Sequence, residues 1–343
     1  MGYLNSISTP SEPPPRKKSR WQRILKLFLG LGLILFILSI VDFEEVRHIL
    51  LHLNPWFLLV VVGVFYLERA IMAYKWQALL GAVNIEAPFS LLFQIYTTVP
   101  IVGTLLPSSI GGDIYRFFSL SRLKASAKAV LASMVVERLI ATVATLLLTT
   151  LSLALAFYLM RDRWRHLSGV TWSLVIGGAL FAVLVGVVYL SLKIDLYRLA
   201  GRYTKYSLVR KLLQLYKLSV EYRNHLPILW RVSVWSFLVQ FAPIIKNMLI
   251  VLALGIHVSL LEIMVIIPII ILAGRLPISI EGLGVREGLY VALFGLVGVS
   301  ASEAFLLSTM TRIVELLSAL PWGLHYLLYD RHKIVQKKEP FAE

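Results

Sequence analysis

Two arginines stand at matched places in this chain, and their type and setting suit the recognition of an anion. Residues 106–116 read LPSSIGGDIYR and residues 276–286 read LPISIEGLGVR. The two segments coincide at Leu106/Leu276, Pro107/Pro277, Ser109/Ser279, Ile110/Ile280, Gly112/Gly282 and Arg116/Arg286. A guanidinium fork meets the oxygens of a phosphate or carboxylate two at a time, which a lysine cannot do. Beside each arginine runs a Pro-led turn, with Ser109, Gly111 and Gly112 in the first and Ser279, Gly282 and Gly284 in the second. Its glycines let backbone approach a ligand closely, and a half-helix starting there would aim free N–H groups at an anion. The expectation is a phosphate-headgroup site built from Arg116, Arg286 and these turn residues. The alternative use of the two arginines is to sit at the membrane interface and reach for lipid phosphates.

The repeat continues downstream, where KAVLASM (128–134) lies over EAFLLST (303–309) and puts Glu137 and Arg312 at equivalent positions. Ionisable groups inside apolar segments are costly and so are functional candidates by default. Glu137 and Arg138 are one such group, Arg312 and Glu315 another; the latter two are three residues apart on one helix face. A buried charge pair can relay a proton or ion, or simply tie helices together. Glu281 and Glu287 flank the second turn and could titrate during coupling; Asp113 and Arg275 lie beside the turns as well. Glu68, Arg69, Lys75 and Lys246 are weaker candidates, their lysines reaching for an interface or neutralising a neighbour.

Enzyme signatures are missing. The aspartates form no D-x-D pair, the histidines show no metal-ligand spacing, and no P-loop is present to power transport with ATP. There are no cysteines, hence no disulfide, thiolate metal site or cysteine nucleophile. No catalytic residue, metal or cofactor is expected.

The elements that carry these residues belong in a bilayer. The chain is 58% hydrophobic and 15% charged, far from the balance of a soluble domain, and its mean hydropathy is +0.78. Apolar runs at 24–41, 56–76, 129–160, 170–192, 228–254 and 303–328 are each long enough to span. The 1–22 segment is too long and polar for a cleavable signal peptide, and a full span follows it. The net charge of +15 crowds into the N-terminal tail, the 193–223 stretch and the C-terminal tail. Basic residues flanking spans follow the positive-inside rule rather than a nucleic-acid role.

With the N-terminal tail inside, a spanning 89–106 segment would put Arg116, Arg122, Lys124 and Lys128 outside, against that rule. A re-entrant hairpin over 89–118 removes the conflict, and the same logic makes 260–288 a second hairpin entering from the opposite side. The predicted fold is an all-α polytopic membrane protein with inverted repeats, each a hairpin plus a following helix. It has about six full spans and two hairpins, or eight spans if the hairpin arms cross. The expected organisation is a disordered basic tail (1–22), one transmembrane domain (23–330) and a second tail (331–343). Within the domain, repeat one is about 89–160, an amphipathic cytoplasmic segment covers 193–226, and repeat two is about 259–328. Both termini would be cytoplasmic in a multi-pass cell (inner) membrane protein.

The strings LLPSSIGGDIYR, VVERL (135–139) and LPISIEGLGVREG (276–288) resemble the membrane flippase region of lysylphosphatidylglycerol synthases, over roughly residues 20–330. The first copy has GGD where the second has EGLG, so the two sites need not be equivalent. The resemblance implies a lipid-translocating module, here a stand-alone one without the soluble aminoacyl-transferase domain. The implied cargo is an anionic phospholipid, an aminoacyl-lipid or a polyprenyl-phosphate-linked lipid, and the implied partners are membrane lipids and a lipid-modifying enzyme. Two other functions fit the residues: a membrane-embedded transferase using Glu281 or Glu287 as general base, and an accessory protein that presents lipid to a separate synthase.

Overall fold

The structure, a computed structural model, describes Gly32 and residues 35–105, 111–120, 126–159, 222–274 and 284–325. The tails, the 193–221 part of the amphipathic segment, the 170–192 run and both turns (106–110 and 275–283) lie outside the described residues. Among the described residues every regular element is helical. They are α1 (Phe43–Leu51), α2 (Pro55–Ala82), α3 (Phe89–Leu105), α4 (Gly111–Leu120), α5 (Ala127–Leu159), α6 (Leu226–Val239), α7 (Phe241–Leu254), α8 (Leu260–Gly274), α9 (Val285–Gly295) and α10 (Ala301–His325).

Local chemistry explains the helix starts. Asp42 caps α1 by accepting from the Glu44 and Glu45 amides, and Asn54 accepts from the Trp56 amide with Pro55 at the first helical position of α2. Two Ser-x-x-Glu capping boxes open α8 and α10. In each, the glutamate (Glu262, Glu303) accepts from the serine amide at 2.9 Å while its own amide donates back to the serine hydroxyl. Pro243 cannot donate to the carbonyl of Val239, and the chain breaks there into α6 and α7 around Gln240.

Among the described residues, four helical stretches are long and apolar enough to cross a membrane: Pro55–Ala82, Ala127–Leu155, Tyr222–Leu254 and Ala301–His325. They match four of the six runs expected to span. Their outer faces carry exposed Trp56, Leu59, Leu151, Trp230, Leu238 and Leu317. Such a surface suits hydrocarbon, where helices satisfy all their backbone polar groups internally. The chain is an all-α polytopic membrane protein.

The element order repeats. Helices α3, α4 and α5 run as a short apolar helix, a shorter one and a long span, and α8, α9 and α10 do the same. The first arms are 17 and 15 residues long and the second arms 10 and 11. At 1.5 Å per residue the second arms extend only about 15 Å. Packing between the halves is reciprocal: α3 lies against α10, α8 lies against α5, and α2 and α7 form the central pair.

The α3–α10 contact is close because Gly323 faces Ile101. A Cβ on Gly323 would sit 2.9–3.1 Å from three Ile101 side-chain carbons, Cβ among them. A β-branched side chain has little rotamer freedom to retreat. Gly323→Leu should therefore cost about 1–3 kcal/mol of stability, read as a lower thermal unfolding midpoint in detergent. An unchanged midpoint would refute the tight crossing.

Candidate functional site

Among the described residues two buried charge clusters form, one around Arg116 and one around Lys246. In the first, Arg116 of α4 donates to Glu137 of α5 and to the Tyr96 hydroxyl at 2.6 Å, and Tyr96 donates to the other Glu137 oxygen at 2.5 Å. The guanidinium lies over the Trp76 and Tyr96 rings at 4.2 and 4.6 Å, and Asp113 stands 3.6 Å away. Asp113 also pairs with Arg138 at 2.8 Å. Trp76 is held in turn by its indole N–H on the Ser133 hydroxyl, 3.1 Å. Burying an ion pair costs less where further hydrogen bonds satisfy its atoms; three hydrogen bonds and two aromatic faces surround this one, and the Arg116 Nε is buried with no hydrogen-bond partner among the described residues.

In the second cluster Lys246 of α7 is clamped between Glu315 of α10 at 2.7 Å and Glu68 of α2 at 2.8 Å. Glu315 turns its other oxygen toward Arg286 of α9, 3.9 Å away. Arg69 stands 3.9 Å from Glu68. The neighbouring Glu287 accepts from the Gly284 amide at 2.7 Å and meets Arg312 of α10 at 3.1 Å. Gly284 has φ +76°, the left-handed region that favours glycine, and ends the chain's approach to α9.

The structure therefore ties α4 to α5 and α9 to α10 with pairs of opposite polarity. Arg116 on α4 meets Glu137 on α5; Glu287 on α9 meets Arg312 on α10. The alignment puts Glu137 and Arg312 at one position, and the structure supplies each with an oppositely charged partner on the short helix that precedes its own. Arg312 and Glu315, neighbours on one helix face, both reach α9, at Glu287 and Arg286, and Glu315 also meets Lys246 of α7.

Between the clusters lies a cavity of about 380 Å³. Its charged lining is Glu68 and Lys75 from α2, Glu137 from α5, Lys246 from α7, Arg286 from α9 and Glu315 from α10, joined by Asn247 and Tyr290. Tyr290 donates to the Asn247 side-chain oxygen at 2.9 Å, which fixes both on the cavity wall. Arg116 lies behind Glu137, outside that lining. Gly111 and Gly112 open α4, and a Cβ on Gly112 would meet Val99 of α3 at 2.8 Å. The remaining expected site residues, Ser109, Ser279, Glu281 and Gly282, lie outside the described residues.

Sequence reasoning ranked Lys75, Lys246 and Glu68 low, yet all three face the cavity. Both lysines are 2% exposed, too enclosed to reach an interface. The available signal was position: each lysine sits about two turns before the end of its helix, α2 or α7.

Comparison with known proteins agrees with this architecture. A UPF0104 membrane protein of Methanocaldococcus jannaschii is 20% identical over 327 residues, covering 91% of this chain and 96% of the relative. A UPF0104 membrane protein of Methanothermobacter thermautotrophicus is 22% identical over 330 residues, with the same coverage. The family model described as the lysylphosphatidylglycerol synthase TM region matches residues 23–323. By a match over nearly its whole length, the chain belongs to the lysylphosphatidylglycerol synthase TM region family.

Proposed function

We propose that the protein moves a lipid with an anionic headgroup between the leaflets of a cell membrane, with Arg286 as the headgroup contact. The observation that carries this reading is the cavity of about 380 Å³ whose lining includes Arg286 and Lys246 from two different helices. Its charged lining sets Lys75, Lys246 and Arg286 against Glu68, Glu137 and Glu315, and Glu68 and Glu137 also meet Arg69 and Arg116 behind the wall. In a low-dielectric setting a guanidinium facing that space favours an entering anion. Arg286 holds its carboxylate at the longest distance of the cavity-lining ion pairs, 3.9 Å, and sits in the first turn of α9, where helix N–H groups add to the attraction.

Arg116 is assigned the tie between α4 and α5, since Glu137, Tyr96 and Trp76 already occupy its fork and its face. Glu137, Arg138, Glu287, Arg312 and Glu315 form the network that exchanges partners as access alternates. The 10- and 11-residue second arms fall well short of the roughly 20 residues of a span. They favour two re-entrant hairpins over eight crossings, and the reciprocal α3–α10 and α8–α5 packing suits a pair of inverted repeats. Cytoplasmic termini follow from the same charge asymmetry as the hairpins.

The test is reconstitution into vesicles of phosphatidylcholine with a trace of fluorescent phosphatidylglycerol, read by quenching of the outer leaflet. Accelerated loss of the protected pool supports the proposal; the rate of empty vesicles refutes it. A membrane-embedded transferase would instead change the mass of its lipid, which mass spectrometry of the same vesicles detects.

A further inference from the structure

We infer that Glu315 of α10 holds the place of the lipid's anion between Lys246 and Arg286, and that the entering headgroup displaces it. This rests on the transporter reading above and assigns the residue that opens and recloses its site. Glu315 sets one carboxylate oxygen 2.7 Å from Lys246 of α7 and the other 3.9 Å from Arg286 of α9. All three side chains line the cavity of about 380 Å³. Tyr290 steadies the Arg286 side: the guanidinium lies 5.7 Å over its ring, and its hydroxyl donates to Asn247. A carboxylate and a phosphodiester present two anionic oxygens to the same donors. A carboxylate that bridges two cations from two helices therefore marks out an anion site and fills it.

Glu315 is the carboxylate suited to leave. Lys246 has a second one, Glu68 of α2 at 2.8 Å, so its charge stays paired when Glu315 turns away. The Glu315 side chain is 25% exposed, against 11% for Glu68. Its reach to Arg286 is long, and an anion seated closer would be the better partner. The exchange replaces one negative charge with another, which keeps the desolvated cations paired throughout. It also breaks the charged tie between α10 and α7, while Glu287 and Arg312 still hold α9 to α10 at 3.1 Å. Headgroup entry thereby frees α9 and α10 to move together against α7, and the return of Glu315 to Lys246 expels the headgroup. The ligand class is a phosphate-bearing lipid headgroup, with its tails in the surrounding hydrocarbon.

The experiment sets binding against movement. Wild type and Glu315→Gln are compared for binding of short-chain phosphatidylglycerol in detergent and for flipping of fluorescent phosphatidylglycerol in phosphatidylcholine vesicles. Glu315→Gln should bind about tenfold more tightly, the gain expected where a built-in competitor keeps the site closed about nine-tenths of the time. It should also flip more slowly, by about threefold or more, because added affinity shows mainly as slower release. A glutamate that only holds helices together would, on removal, lower both. Glycerophosphoglycerol, the same headgroup without tails, should bind more weakly than the lipid; equal binding overturns the lipid as the ligand. The chain has no cysteine, so Glu315→Cys carries a single reactive thiol. Carboxymethylation of that thiol restores a carboxylate and should restore the weaker binding and faster flipping. Carbamidomethylation, its neutral counterpart, should leave binding tight and flipping slow. This arm compares two forms of one protein and stands even where Glu315→Gln proves unstable. Unchanged or weaker binding by folded Glu315→Gln, or flipping at the wild-type rate, overturns the displaced carboxylate and leaves the transporter reading standing. No flipping by wild type overturns the transporter reading itself, and the inference with it.

Discussion

Arg116→Ala is expected to destabilise the protein by about 3–5 kcal/mol, the usual cost of removing one member of a buried ion pair. The partner left behind is Glu137, 4% exposed, which would retain only the Tyr96 hydroxyl among the donors described for it. Asp113 would keep Arg138, so the charge stranded by the change is Glu137 rather than Asp113. The lost stacking on Trp76 and Tyr96 adds to the cost. Unfolding in detergent, followed by helical signal against temperature, reads the effect. Arg116→Ala/Glu137→Gln should recover part of the stability, because the neutral amide removes the stranded charge. A single variant as stable as wild type would contradict the structural role given to Arg116.

Arg286→Ala should behave in the opposite way: full-length, folded protein that has lost its ligand. Its ion pair to Glu315 spans 3.9 Å and its side chain is 24% exposed, so the pair itself contributes less than about 1 kcal/mol. Glu315 keeps Lys246 at 2.7 Å, so no charge is stranded. Binding of short-chain phosphatidylglycerol should weaken about 30-fold or more, the roughly 2 kcal/mol of a lost guanidinium–phosphate contact. The measurement is a titration of purified protein in detergent beside its unfolding curve. Equal binding by a well-folded variant would remove Arg286 from the site. Taken together, the two substitutions distinguish arginines that the sequence repeat presents as equals.

That distinction marks the limit of what the residue order carries. Hydropathy is summed along the chain, so the membrane class and four of the spans could be read without coordinates. Pro and Gly act on their own backbone, so the breaks between α3 and α4 and between α8 and α9 were legible as the repeated LPSSIGGD and LPISIEGL strings. The motif arginines Arg116 and Arg286 and the Glu137/Arg312 correspondence came from the same local comparison. All of these are properties of a residue and its neighbours in sequence.

The charge network is not. Lys246 meets Glu68 across 178 residues and Glu315 across 69, and the interior of an apolar helix shows only that a charge is present, not what it faces. Lys75 and Lys246 looked like side chains that could extend to an interface; burial at 2% denies them that reach. Arg116 and Arg286 share a motif, but Trp76, Tyr96 and Glu137 converge on the first and a cavity opens beside the second. Sequence determined that this chain lives in a membrane, breaks its helices at two matched places and brings charge to them. Only the tertiary structure decided which of those charges bind each other and which face a space, because ion pairing depends on helices meeting side by side, and that meeting is set by packing rather than by order along the chain.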